Sequence, residues 1–199
     1  MKKTILSLFV CIFLITSCYK QKSPNLSYSE DLGYNIYEML GFPQEDVLKQ
    51  LIKNDIEPEL VSQEYNAYLF PSAIFDEGEE TAYLDFKEKE DDSSLFLYEY
   101  GIQIKYTEWP DETNSLHSSI PSLYQKLISL YGEPNETSPT MHDPASIMNV
   151  PGNRDAVWIL EDKNLRITFF VEYGDGAYPF RAGFSYTDLK EFNRWIDSL

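Results

Sequence analysis

Apolar residues along this chain keep to two spacings, near four and strictly two, and the switches between them mark out its elements. Leu32, Ile36 and Leu40 stand four apart with Met39 beside them, Gly41 follows as a stop, and Ser27 precedes Glu30 by three in the manner of a capping box. A first helix is therefore predicted over 27–40, with Gly33 against it. After Gly41-Phe42-Pro43 a second helix is expected over 44–53. Pro43, Glu45 and Asp46 suit its first turn, Lys49 and Lys53 suit its negative end, and Val47, Leu48, Leu51 and Ile52 share one apolar face.

From Tyr65 the period is two. Strands are expected over 65–70, 81–87, 95–100 and 102–107, and in the second of these Ala82, Leu84 and Phe86 alternate with Tyr83 and Asp85. Gly101 fits either a bulge or a bend in one long strand. Two acidic turns, 76–80 and 88–94, lie between them. The helical spacing returns after Ser118-Ser119, with Pro121 in the first turn, Leu123, Leu127, Leu130 and Tyr131 on one face, and Gly132 and Pro134 at the end. The proline- and asparagine-rich stretch 133–154 reads as a long loop. Strands over 156–161, 165–173 and 180–187 follow, with turns at 161–164 and from Gly174. A last helix is expected from near Asp188, with Glu191 as its box partner, burying Leu189, Phe192, Ile196 and Leu199. Connections this short favour hairpins, which makes the fold class α+β: antiparallel sheet with helices packed on one face, in two helix-plus-meander halves.

Residues 1–18 follow a different rule. Lys2 and Lys3 precede a short apolar run, Ile5 to Ile15, too short to span a bilayer and of the length of an export signal. The Ile15-Thr16-Ser17-Cys18 ending resembles a bacterial lipobox. That resemblance implies cleavage before Cys18, a diacylglyceryl thioether on its sulfur, a fatty acid such as palmitate on its freed amine, and a stable membrane anchor. The alternative is an ordinary secretory signal with a cysteine at its cleavage site. The expected organisation is a signal peptide at 1–17, the lipidated Cys18 with a tether to 28, and a single α+β domain over 29–199. Tyr19, Lys20 and Lys22 lie in the tether. The two lysines either face anionic headgroups, at about 1 kcal/mol each, or are incidental.

The cysteines, Cys11 and Cys18, both fall in this segment, so the domain beyond it has no disulfide, thiolate metal ligand or thiol nucleophile. Without Lys2 and Lys3 the chain keeps 14 of its 16 basic residues against 33 acidic ones, a net charge of −19. That charge disfavours nucleic acid and contact along an anionic membrane. It suits a body held away from the surface, or one steered toward a basic partner.

The candidate chemistry is sparse. His117 and His142 have no companions at ligand spacing, and the acidic turn at 76–80 lacks the alternating ligands of a calcium loop. No nucleophile motif or phosphate loop is present. No catalytic residue, metal or cofactor is therefore expected. Aromatic residues are abundant, at 15 Tyr, 12 Phe and 3 Trp, so some should face outward. Tyr65, Tyr68, Tyr83, Tyr98, Tyr100 and Tyr106 are placed to share a sheet, while Trp109, Tyr173, Tyr178 and Phe180 are the preferred exposed binding aromatics.

The element order, with Leu40–Leu51 reading LGFPQEDVLKQL, is similar to the small exported α+β domains of outer-membrane assembly lipoproteins and of the β-lactamase-inhibitor type. No functional residue follows from that likeness. Together these readings lead to the expectation of a bacterial envelope lipoprotein, held to the membrane by Cys18. Its domain would act as a non-catalytic protein-binding or scaffolding module with an envelope protein as partner. A small-ligand or glycan binder is the alternative, and a carboxylate hydrolase comes third.

Overall fold

The computed structural model describes residues 24–75, 78–89, 92–139, 141, 146–149, 151–174 and 176–198. Cys18, the first half of the expected tether, Asp76, Glu77, Asp91, His142, Asp175 and Leu199 lie outside the described residues. A small hairpin, β1 (Tyr28–Ser29) and β2 (Gly33–Tyr34), opens the fold, followed by a 3-10 turn at Ile36–Met39 and α1 (Gln44–Lys53). A four-strand meander comes next: β3 (Glu59–Ser62), β4 (Ala67–Pro71), β5 (Glu79–Lys89) and β6 (Asp92–Tyr106). The second half repeats the plan with α2 (Leu116–Tyr131), then β7 (Glu136–Thr137), β8 (Arg154–Leu160), β9 (Leu165–Tyr173) and β10 (Phe180–Asp188). The helix α3 (Leu189–Asp197) ends it. The two meanders join edge to edge in one antiparallel eight-stranded sheet, ordered β3-β4-β5-β6-β10-β9-β8-β7. The last strand of each half thus meets the other at the centre.

The core lies on one face of this sheet. Ala82, Leu84 and Phe86 of β5, Tyr100, Ile102 and Ile104 of β6, Ile167, Phe169 and Val171 of β9, and Phe184 and Tyr186 of β10 point there with no more than 1% exposure. Val47 and Leu51 of α1 and Leu116, Ile120, Tyr124 and Leu127 of α2 cover them in one continuous cluster. The same periodicity that encoded the strands thus leaves each strand's other side chains on the opposite face.

Several sequence expectations need correction. The predicted helix over 27–40 is the β1–β2 hairpin and the 3-10 turn. Asn35 explains why: its side-chain oxygen accepts from the Ser27 N–H at 2.6 Å and its amide donates to the Asn25 carbonyl, closing a turn that a helix would open. Gly33 holds a φ of +67°, and a Cβ there would lie 2.6 Å from Ile102 Cδ1, so the chain needs glycine to lie this close to β6. Strand β3, which breaks register between Leu60 and Ser62, had no alternating signal. Ile52 and Leu130 are 61% and 49% exposed rather than buried on their helices. Of the acidic turn at 76–80, Glu79 and Glu80 belong to β5, and the Glu80 carboxylate accepts the N–H groups of Ile74 and Phe75 at 2.8–2.9 Å. Segment 133–154 contributes the short edge strand β7.

Candidate functional site

The face opposite α1 and α2 carries the side chains that the alternation turned away from the core. Reading across neighbouring strands, Asp85, Glu99, Thr187, Arg166 and Ile159 form one row. Tyr83, Gly101, Ser185, Thr168 and Val157 form the next, then Thr81, Gln103, Gly183, Phe170 and Asp155. Gly101 and Gly183 put no side chain near the middle of the second and third of these rows, so the surface dips there. The Tyr83 ring lies across Gly101, where a Cβ would come within 2.5 Å of it. A cleft of about 450 Å³ results, bordered by Tyr83, Glu99, Phe170, Arg166 and the α3 residues Phe192 and Trp195.

A bulge shapes one wall. Asp85 pairs with Glu99 but Phe86 pairs with Leu97, which leaves Tyr98 as an extra residue on β6. The long strand is thus interrupted at Tyr98, whereas Gly101 stays in register with Tyr83 and Ser185. The extra residue turns Tyr98 out of the core, where Lys87 Nζ sits 3.5 Å from the centre of its ring. Burial, then Glu99, pushes the Tyr98 hydroxyl up to about 12, so it remains a neutral donor.

The helix α3 supplies the other wall. Asp188 caps it by accepting the Glu191 N–H at 3.1 Å, and the Asn164 side chain donates to the same carboxylate oxygen at 2.9 Å. So held, α3 brings Phe192 over the Arg166 guanidinium at 4.4 Å and Trp195 to 5.5 Å from Lys87 Nζ. Leu189 is the buried residue of this helix, whereas Trp195 and Ile196 are about half exposed. The expectation that Ile196 would be buried with Leu189 is therefore corrected.

Charge on this face differs from that of the chain. Lys87, Lys105, Arg166 and Arg181 stand among Glu79, Asp85, Glu99, Asp155 and Glu172, close to balance in a chain with 16 basic and 33 acidic residues. Glu99 accepts the Tyr83 hydroxyl at 2.9 Å, and Glu172 pairs with Arg181 at 2.9 Å. Among the described residues no three His, Cys, Asp or Glu side chains converge as a metal site.

Asp85 is the perturbed acid here. Burial first and Glu99 second push its carboxyl from 3.8 up to about 6, with Lys87 pulling the other way. The folded chain thus holds this proton more tightly than the unfolded chain, and stability falls as pH rises from about 4 through 6. Asp85→Asn is expected to stabilise the fold by about 1 kcal/mol at pH 7.5, allowing for the carboxylate's contact with solvent, and to have no such effect at pH 4. Urea unfolding at the two pH values checks this, and equal effects at both would contradict the assignment.

The aromatics expected at the surface divide. Trp109 is half-buried and donates its Nε1–H to the Met148 carbonyl at 2.9 Å. It meets the rings of Tyr173 and Phe180 edge-on at 5.5 and 5.4 Å. Phe180 is fully buried, so it offers no binding surface, and Trp109 pins two loops to the end of the sheet. Tyr173 and Tyr178 are exposed, at 41% and 42%. Of the six tyrosines expected to share a sheet, Tyr83 and Tyr98 face the cleft, Tyr100 is in the core, Tyr68 and Tyr106 pack against it, and Tyr65 lies exposed before β4. The sequence does not single out the cleft residues Arg166, Thr168, Phe170 and Trp195, and Phe192, expected to be buried on the last helix, is half-buried at the cleft wall. Strand alternation gives the face of Arg166, Thr168 and Phe170, but only the β6–β10 pairing brings them beside Tyr83 and Glu99, and Phe192 and Trp195 reach them from α3.

No protein-family model matches the chain, and comparison with curated proteins and with solved structures finds no match either.

Proposed function

We propose that this chain is a cell-envelope lipoprotein, anchored through Cys18, whose domain is a non-catalytic protein-binding module that meets its partner with the uncovered face of the sheet. The observation that carries this is the cleft face itself: Tyr83, Phe170, Phe192 and Trp195 gathered with arginine and lysine on a surface that α1 and α2 leave open. Aromatic and arginine side chains grouped at the centre of a surface are the composition of interface hot spots. Among the described residues no helix is long and apolar enough to cross a membrane, so the anchor rests on the leader and Cys18. Cys18→Ser is expected to abolish incorporation of labelled palmitate.

The test uses the full chain, purified in detergent and immobilised, to capture protein from solubilised envelopes of its own cell. Phe170→Ala and Trp195→Ala are each expected to weaken capture about 30-fold, the equivalent of about 2 kcal/mol at a hot spot. Lys49→Ala and Gln125→Ala, on the exposed sides of α1 and α2, should leave it unchanged. Capture that is lost only with the helix-side changes would overturn the reading.

A second reading has its own support. A cleft of about 450 Å³ with aromatic walls is also of a size for a small ligand or glycan. A thermal shift with sugars but no protein capture would favour it. The carboxylate-hydrolase expectation retains acids in the cleft, Glu99, Asp155 and Glu172, of which two are engaged by Tyr83 and Arg181.

A further inference from the structure

We propose that the notch between α3 and the uncovered face receives an acidic side chain, Asp or Glu, of the partner protein, with Lys87 and Arg166 as its counter-charges. This rests on the protein-binding reading above and adds the chemistry of what is bound.

Lys87 and Arg166 flank the notch from strands of different halves. The ion pairs among the described residues are Lys126–Asp31, Arg181–Glu172 and Arg194–Glu191, so neither Lys87 nor Arg166 has a described carboxylate oxygen within 4.0 Å. What holds them is aromatic: Lys87 lies against Tyr98 and Trp195, and Arg166 against Phe192, with Thr168 accepting one guanidinium N–H. Contacts to π faces fix a cation in place while leaving most of its N–H donors unused. Of the acids nearby, Asp85 stands two residues from Lys87 on the same face of β5 and acts on it electrostatically, but forms no ion pair with it. Glu99 takes the Tyr83 hydroxyl, Glu172 takes Arg181, and Asp155 stands two rows away across from Phe170.

Burial lowers the Lys87 ammonium from its ordinary value, Glu99 and Asp85 offset part of that, and an incoming carboxylate in direct contact would offset more. Charge complementarity argues the same way. In a chain with twice as many acids as bases, this face comes close to charge balance, and at its α3 end two cations held by aromatic rings stand with Glu99 already hydrogen-bonded to Tyr83 and Glu172 paired with Arg181. The half-exposed Trp195 offers apolar contact beside them for the residues flanking the acid.

The full chain in detergent micelles is titrated with acetyl-Ala-Glu-Ala-amide and with its Gln counterpart while backbone amide resonances are followed. The Glu peptide is expected to move the resonances of Lys87, Arg166 and Trp195 and to bind at least tenfold more tightly than the Gln peptide. Lys87→Gln and Arg166→Gln should erase that difference. Equal binding of the two peptides would overturn the proposal. So would tighter binding of free glucuronate, which would assign the notch to a small acid. The same two variants are then run in the envelope capture. Capture that survives both changes but is lost in Phe170→Ala overturns the acidic-notch proposal and leaves the protein-binding reading standing. If the unaltered chain captures nothing, the protein-binding reading fails, and with it the partner assigned to the notch.

Discussion

Gly183→Ala is expected to lower the stability of the domain by about 3 kcal/mol or more, the upper end of what overpacking costs. Gly183 lies in the middle of β10, opposite Gln103 on β6 and Phe170 on β9. A Cβ there would run into the backbone carbonyl of Ile102 and come within 2.9 Å of the Gln103 Cα. Backbone cannot turn aside as a side chain can, so β6 and β10 would have to separate at the seam that joins the two halves. For a domain of this size the loss corresponds to a drop in Tm of roughly 10 °C. Gly174→Ala is the control. It lies just beyond β9, and a Cβ there would have nothing within 4 Å. Its effect should stay within about 0.5 kcal/mol. If Gly183→Ala melts with the unaltered chain, the close approach of the two strands is wrong.

Trp158→Ala should cost about 3–5 kcal/mol, the range for removing a fully buried tryptophan. The ring is completely enclosed beneath α2, 5.9 Å from the Tyr124 ring, and donates its Nε1–H to the Gly132 carbonyl at 2.7 Å. Gly132 is the C-cap of α2, so one side chain both fills the core of the second half and satisfies a carbonyl at the helix end. Trp158→Phe separates these roles. It keeps most of the volume and loses the hydrogen bond, and is expected to cost about 1–3 kcal/mol from the orphaned carbonyl. Chemical unfolding of both variants measures the split. A Phe variant as damaged as the Ala variant would mean that the hydrogen bond, not the packing, dominates.

Where the sequence was readable, one force governed the segment. Strand β9 runs over the residues expected, 165–173, because Leu165, Ile167, Phe169 and Val171 alternate strictly and all reach the core. Helix α1 covers 44–53 as expected, with Val47 and Leu51 on its buried face, and Asp188 caps α3 as its spacing with Glu191 implied. The antiparallel sheet and the plan of two helix-plus-meander halves follow from the same periods. Where two forces competed, the pattern misled. Leu32, Ile36 and Leu40 fit a helix, but the Asn35 hydrogen bonds and the tight fit of Gly33 against β6 close a hairpin instead. Gly101 looked like the irregular point of β6, yet the register shifts fall elsewhere, one of them at Tyr98, where nothing in the local sequence marks it.

The candidate site was legible only in part. That Tyr83 and Asp85 face away from the core follows from alternation. That they lie beside Arg166 and Thr187 depends on which strands are neighbours, and the β6–β10 pairing joins segments some 80 residues apart. Loop aromatics drew attention because loops lie at surfaces, but Trp109 found an acceptor in Met148 and ring partners in Tyr173 and Phe180. The aromatic walls of the cleft came instead from a bulge and from a terminal helix that turns its rings toward the sheet.

The most direct test of the account places a photo-activated cross-linking amino acid at Phe170 of the full chain, and separately at Gln125, and irradiates the intact envelope of the source cell. A discrete protein adduct from position 170 and none from position 125 is the predicted result, because the uncovered sheet face is the one that meets the partner. Adducts from 125 alone would place the contact on the helices and contradict the central claim.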